Sequence, residues 1–223
     1  VSLAVQESTG LPLGAIGHRS FINGDHNKQG TSGKGKRGGG QRVRLSQDDP
    51  RNMRNRWHQQ ALEVSAILED VPHIHVADRE ADSFMYLAEL FVNNAQHVTR
   101  VSSDRRLSDG NKLFETLDEV DAVLSRRVVL SKRLPAPGPT DRKIHPPRER
   151  RGAKLEVGAT AVKIPRPSRT PIKLPANLHL NYVLVREVDV PEGEAPVEWR
   201  LVTSLPIDTP EQIERVVDIY RKR

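Results

Sequence analysis

The sequence contains no cysteine. That excludes disulfides, zinc–thiolate centres, iron–sulfur clusters and a thiol nucleophile. Aromatic residues make up only 4% of the chain and hydrophobic residues 36%, so stacking surfaces are scarce. No apolar run approaches the roughly 18 residues of a membrane span. No signal peptide is visible, and no nucleophile-elbow serine motif occurs. What remains is a polar chain of 223 residues, long enough for one core or for a core with an inserted subdomain. It is expected in a reducing, cytoplasmic setting. It begins on Val1, inside a predicted strand, and is expected to be part of a longer protein.

Charge is plentiful and unevenly placed. Lys and Arg number 35 against 29 Asp and Glu, a formal net of +6. Residues 23–60 carry nine basic and three acidic groups, and residues 126–173 carry fourteen and three. The rest of the chain has twelve basic against twenty-three acidic residues. Two basic segments on an acidic body point to a polyanion or, in the plainer reading, to solvated loops. Both are nearly free of aromatics, which suits phosphate contacts to a duplex better than stacking on single strands.

Ser2 to Gln6 and Gly14 to Ile22 read as strands around the turn Ser8-Thr9-Gly10-Leu11-Pro12. Residues 23–44 are Gly-rich and basic, a composition that buries little. Gly30, Gly35 and Lys36 have the spacing of a phosphate-binding P-loop. However, Arg37 stands where a magnesium-binding Ser or Thr belongs, and three glycines follow where a helix should begin. Trp57, Ala61, Val64 and Leu68 recur at helical spacing over 55–68. A strand over 73–77, a helix over 84–92 capped by Asp82 or Ser83, and a strand over 96–102 follow. This is an α/β layout with a hairpin in front. From about residue 111 the character changes. A short helix over 112–123 precedes strands over 126–131, 154–164, 178–188 and 198–203, in a stretch that holds most of the 16 prolines. A last helix starts at Thr209-Pro210-Glu211, with Ile213, Val216, Val217 and Tyr220 as its apolar stripe. Three parts result: a core over 1–110, a β-rich insertion over 111–207, and the start of a further core helix over 208–223.

Asp78 is the leading candidate for chemistry. It ends a short strand in Asp78-Arg79-Glu80-Ala81-Asp82, and strand ends in α/β sheets gather ligands and catalytic groups. A carboxylate there suits a hard cation; the alternative is a helix-capping Asp. Glu80 and Asp82 fit the helix N-terminus better than a metal. His73 and His75 share a strand face, and with Asp78 they allow a thin zinc hypothesis against plain edge residues. Arg100 ends the next strand, where parallel pairing would put it on the same rim as Asp78. It reads either as a phosphate clamp or as an ion-pair partner. Trp199 has core as its ordinary role.

Three segments together resemble a known family. They are His75-Val76-Ala77-Asp78-Arg79-Glu80-Ala81-Asp82, Trp199-Arg200-Leu201-Val202-Thr203-Ser204 and Val217-Asp218-Ile219-Tyr220-Arg221-Lys222-Arg223. In this order and spacing they are similar to bacterial DDE-type transposases of the insertion-sequence-four family, relatives of the transposon-five enzyme. The resemblance spans essentially the whole chain, although segment 23–44 has no match.

The resemblance implies an α/β, ribonuclease-H-like (DDE) catalytic core, here incomplete, with a β-rich insertion before the last helix. It implies cut-and-paste DNA transposition, in which transposon ends are bound, cut and joined to target DNA. The cofactor implied is Mg²⁺, with Mn²⁺ as its substitute, held as two ions by two Asp and one Glu. Asp78 matches the second aspartate. Arg100 matches a basic residue at the DNA end, Trp199 the residue that fills the gap left by a flipped base, and Tyr220 and Arg223 the start of the Tyr-Arg-Glu-Lys signature. The partner implied is double-stranded DNA, both transposon ends and target, engaged as a dimer in a nucleoid-associated setting without membrane. Arg148, Arg150 and Arg151, in the second basic segment, are expected to contact phosphate without reading sequence. The first aspartate is expected on a strand before Val1 and the Glu beyond Arg223, so this chain alone is expected to be inactive. A related metal-dependent nuclease and a non-enzymatic DNA-binding remnant of a decayed element are the alternatives.

Overall fold

The computed structural model describes residues 1–18, 55–135, 138, 146–168 and 170–223. The Gly-rich segment 23–44, with its P-loop-like spacing, lies outside the described residues.

β1 (Ser2–Val5) and β2 (Pro12–Gly17) pair as an antiparallel hairpin. Its turn needs the left-handed backbone of Gly10, at φ +75°. Then follow α1 (Asn55–Ile67), β3 (His75–Ala77), a 3₁₀ turn (Arg79–Ala81), α2 (Phe84–Val92), β4 (His97–Arg100), α3 (Leu113–Asp118) and β5 (Leu124–Leu130). The long strands β6 (Arg151–Pro165) and β7 (Asn177–Val188) lead to β8 (Glu198–Thr203) and α4 (Pro210–Arg221). The result is a mixed α/β fold. Its main sheet has six strands in the order β3-β4-β8-β7-β6-β5, and the hairpin forms a separate two-stranded sheet. β3 and β4 are parallel, and every other neighbouring pair in the main sheet is antiparallel. Because β8 pairs with β4, the β-rich stretch 111–207 shares one sheet with the strands before residue 110.

Helices cover both faces. α2 is apolar nearly all round, as a helix held between layers must be. Phe84, Met85, Tyr86, Leu87, Ala88 and Leu90 are all buried, against α1 on one side and Val162, Ile164, Leu178, Leu180 and Val202 of the sheet on the other. α4 covers the opposite face. Ile213, Val216, Val217 and Tyr220 pack on Val98, Leu155, Val157, Val183, Val185 and Leu201. Its start is fixed by a capping box between Thr209 and Gln212, with Pro210 in the first turn.

The alternation of β6, irregular in the sequence, has a physical reason. Side chains of successive residues point to opposite faces. Ala153, Leu155 and Val157 face the α4 core, whereas Val162 and Ile164 face the α2 core. The change falls next to Gly158, where a Cβ would stand 2.7 Å from the Asp121 carbonyl oxygen and 2.8 Å from a Val120 methyl. The helix expected over 112–123 stops at Asp118, and the chain then passes over Gly158 into β5. Among the described residues, no helix is long and apolar enough to cross a membrane.

Candidate nucleic-acid interface

Asp78 leaves the end of β3 with extended backbone, and its Oδ1 accepts the Arg79 N–H at 2.8 Å. It therefore caps the 3₁₀ turn. The parallel register sets His75 opposite His97 and Ala77 opposite Thr99, so Asp78 and Arg100 leave the sheet side by side. Arg100 is paired with Leu201 across β4 and β8. Its guanidinium donates to the Glu198 carbonyl at 3.4 Å. This brings Trp199 to the same rim, half-buried on the α4 side of the sheet.

The last turn of α4 completes the group. The Tyr220 ring meets the Trp199 ring edge-on with centroids 5.5 Å apart. The Tyr220 hydroxyl donates to Asp78 Oδ1 at 3.4 Å. Arg223 places Nη1 2.8 Å from Asp78 Oδ2, and its guanidinium lies 5.0 Å from the Tyr220 ring centre. Burial pushes the Asp78 carboxyl up, but the Arg79 N–H, the Arg223 guanidinium and the more distant charge of Arg100 together hold it below the usual carboxylate range. Burial and the Asp78 charge raise the Tyr220 phenol, against the pull of Arg223 and Arg100.

Five residues singled out from four separate segments thus form one cluster: Asp78, Arg100, Trp199, Tyr220 and Arg223. Two guanidiniums and one carboxylate leave it net positive, with an aromatic pair as its wall.

The described residues bring one carboxylate, Asp78, to the rim, fewer than a two-cation centre needs. Among the described residues, no group of three or more His, Asp or Glu could hold a metal ion. Glu80 turns outward to Arg56 at 2.9 Å. His73 and His75 do not point at Asp78; both Nε2 atoms reach Ser65 Oγ on α1, at 3.0 and 2.8 Å. Glu7, on the hairpin, binds Arg215 of α4 at 2.7 Å and has a structural role.

The basic triplet is split. Arg150 is exposed. Arg148 donates to the Ser131 carbonyl from Nε and Nη2, at 3.3 and 3.1 Å. Arg151, expected to face phosphate, instead makes a two-pronged bond to Glu187, whose side chain is only 1% exposed. Glu187 also accepts the Val197 N–H at 3.0 Å. Arg151 is thereby held in an internal ion pair whose partner lies 36 positions away on β7.

Sequence reasoning missed the role of Asp82. The N-cap of α2 is Ser83, whose Oγ accepts the Tyr86 N–H at 3.2 Å. The Asp82 carboxylate turns the other way, to the segment after β4. Only the parallel pairing of β3 with β4 brings these together, and no local pattern signals it. No protein-family model matches the chain.

Proposed function

We propose that this chain is part of the catalytic domain of a DDE-type transposase with a ribonuclease-H-like core. In this reading it binds transposon-end DNA and supplies one of the enzyme's metal-binding carboxylates, Asp78. One observation carries the reading. The residue that the family resemblance assigns to catalysis, Asp78, and those it assigns to DNA, Arg100, Trp199, Tyr220 and Arg223, are gathered by the fold on one rim.

The chemistry of the rim suits a duplex terminus. Arg100 and Arg223 supply charge-assisted donors to phosphate. Trp199 and Tyr220 offer an aromatic surface where a base is extruded. Among the described residues the hairpin lies outside the main sheet and β3 ends it, an arrangement compatible with a further strand between them in a ribonuclease-H-like core.

Asp78→Asn tests the reading in the complete protein. The amide keeps the shape but weakens a hard-metal site, and it releases Arg223 from its ion pair. Mg²⁺-dependent nicking should be lost, while the end duplex binds as well as before or more tightly in a gel shift. Near-normal nicking would sink the assignment.

A further inference from the structure

Asp82 has an environment unlike that of any other acid in its turn. Its side chain is fully buried. Oδ2 accepts the Ser102 N–H at 2.6 Å, the Ser103 N–H at 3.0 Å and the Ser102 hydroxyl at 3.2 Å. Oδ1 takes the Arg105 guanidinium. Arg105 also donates to the Asp82 carbonyl at 3.0 Å and is itself only 13% exposed. Nothing in this arrangement serves the α2 N-terminus, which Ser83 caps.

The two segments that Asp82 joins carry two members of the rim, Asp78 and Arg100. On its N-terminal side lies the 3₁₀ turn that starts at Asp78. On the other side lie Ser102 and Ser103, directly after Arg100 and Val101. A second bond ties the same segments, from the Ser102 hydroxyl to the Arg79 carbonyl at 3.3 Å. Beyond Arg100 the β-ladder with β3 has ended, so this polar clamp takes over from it in holding the two exits together. Buried bonds to a charged acceptor are among the stronger ones and fix geometry tightly.

The geometry points to Asp82 as a positioning residue. It does not touch DNA or cation; it sets the separation between Asp78 and Arg100, and so the width of the phosphate cradle on the rim. This role rests on the DNA-end reading above, whereas the clamp itself does not.

The test separates the two. Because the chain lacks cysteine, Arg79→Cys and Arg100→Cys place one nitroxide label on each side of the rim. With Asp82 intact, the distance distribution should be narrow and single. Asp82→Asn should broaden or shift it. Asp82→Asn leaves the buried Arg105 beside a neutral amide, so Asp82→Asn with Arg105→Met is the second variant, free of the unpaired charge. It should melt cooperatively and still broaden the distances. An unchanged distribution in either folded variant overturns the clamp.

Fluorescence anisotropy on an end duplex, without labels, reads the role in binding. Asp82→Asn should weaken binding about tenfold, in proportion to the loss of one charged hydrogen-bond acceptor. Added to Arg100→Ala it should cost nothing further, because its effect passes through Arg100. An equal loss with and without Arg100 would mean that Asp82 acts through general stability, and the positioning role would fall. Failure of the unsubstituted chain to bind any duplex would sink the functional reading, while the label distances would still decide the clamp.

Discussion

Trp199 packs on Tyr220 and borders the α4 core, yet it stays partly open at the rim. A fully buried Trp would cost about 3–5 kcal/mol on truncation. A half-buried one costs less, while a base-stacking ring carries on the order of 1–3 kcal/mol per base. On the proposed DNA-end reading, Trp199→Ala should therefore slow opening of the transposon end more than it weakens end binding, with only a small fall in melting temperature. Fluorescence of a base analogue at the terminal position, beside a thermal melt, measures both. A large loss of stability with unchanged end opening would return Trp199 to the core. His75 and His97, partners across β3 and β4, make a second residue-scale case. Burial, with a smaller push from His73, lowers His75 to about 4. Burial likewise lowers His97 to about 4. Both are neutral in the folded protein at pH 7, and in the unfolded chain they take protons near pH 6.5. As the pH falls from 6.5 to 4, the unfolded state gains protons that the folded state refuses, so stability falls in that window. The loss is on the order of 3 kcal/mol per ring. The lowered carboxylates Glu187, Asp218 and Asp78 act separately. Their stabilisation is present above their unfolded values, near 4, and is lost as the pH drops through their lower folded values. Urea unfolding at pH 7, 5.5 and 4.5 checks the histidine window, and His97→Gln should reduce its slope by about half, leaving the part due to His75. A flat profile across that range would overturn the assignment.

At the scale of elements, the second basic segment divides into two kinds of arginine. Arg148 and Arg150 lie in the arm before β6, with Arg150 exposed. Neutralising both to Gln should weaken binding equally on all duplexes. It should also reduce the slope of log affinity against log salt by up to about 0.9 for each phosphate that is no longer neutralised. Arg151→Gln should instead leave Glu187 buried without its partner and cost about 3–5 kcal/mol of stability. Salt titration of the first variant and thermal melting of the second distinguish them, and an unchanged salt slope would make the arm merely solvated. The contrast also shows what the sequence can carry. α2 and α4 were legible to within a residue or two, because Ser83 and Thr209 are strong caps and the apolar spacing is helical. β8 was legible at both ends. Arg151 was not, because its neighbours Arg148 and Arg150 suggest a solvated run, while Glu187 is brought to it only by pairing β6 with β7. Gly158 was not legible either; its need for glycine comes from a backbone crossing by residues 120–121. The candidate site was legible for a different reason. Asp78, Arg100, Trp199, Tyr220 and Arg223 were picked out by resemblance and strand-end position, whereas Asp82, in the same short segment as Asp78, owes its role to bonds with residues twenty positions on.

For the whole molecule, the proposed DNA-end reading separates binding from cutting. The chain is net positive by +6, and its rim holds two guanidiniums around one carboxylate. Two cations in the geometry of an in-line displacement need several convergent oxygen ligands. The described residues offer Asp78 alone on the rim, already paired with Arg223 and bonded by Tyr220. Phosphate and a cation would thus engage this surface by opposite means: a phosphate competes with Asp78 for Arg223, while a cation competes with Arg223 for Asp78. With one carboxylate the first exchange costs one ion pair and returns another, so the DNA binding proposed for this rim needs no metal. The second would set a divalent ion among two positive groups on a single monodentate ligand, which Coulomb repulsion opposes. The 223-residue chain should accordingly bind an end duplex with the same affinity in EDTA and in Mg²⁺ or Mn²⁺, once ionic strength is matched, and should leave the duplex uncut. Anisotropy and a nicking assay on the same samples check both halves. Metal-dependent cleavage by this chain would show that further ligands converge on Asp78. Affinity that rises with Mg²⁺ at constant ionic strength would show that a cation displaces Arg223 from Asp78 even where Asp78 is its single carboxylate ligand.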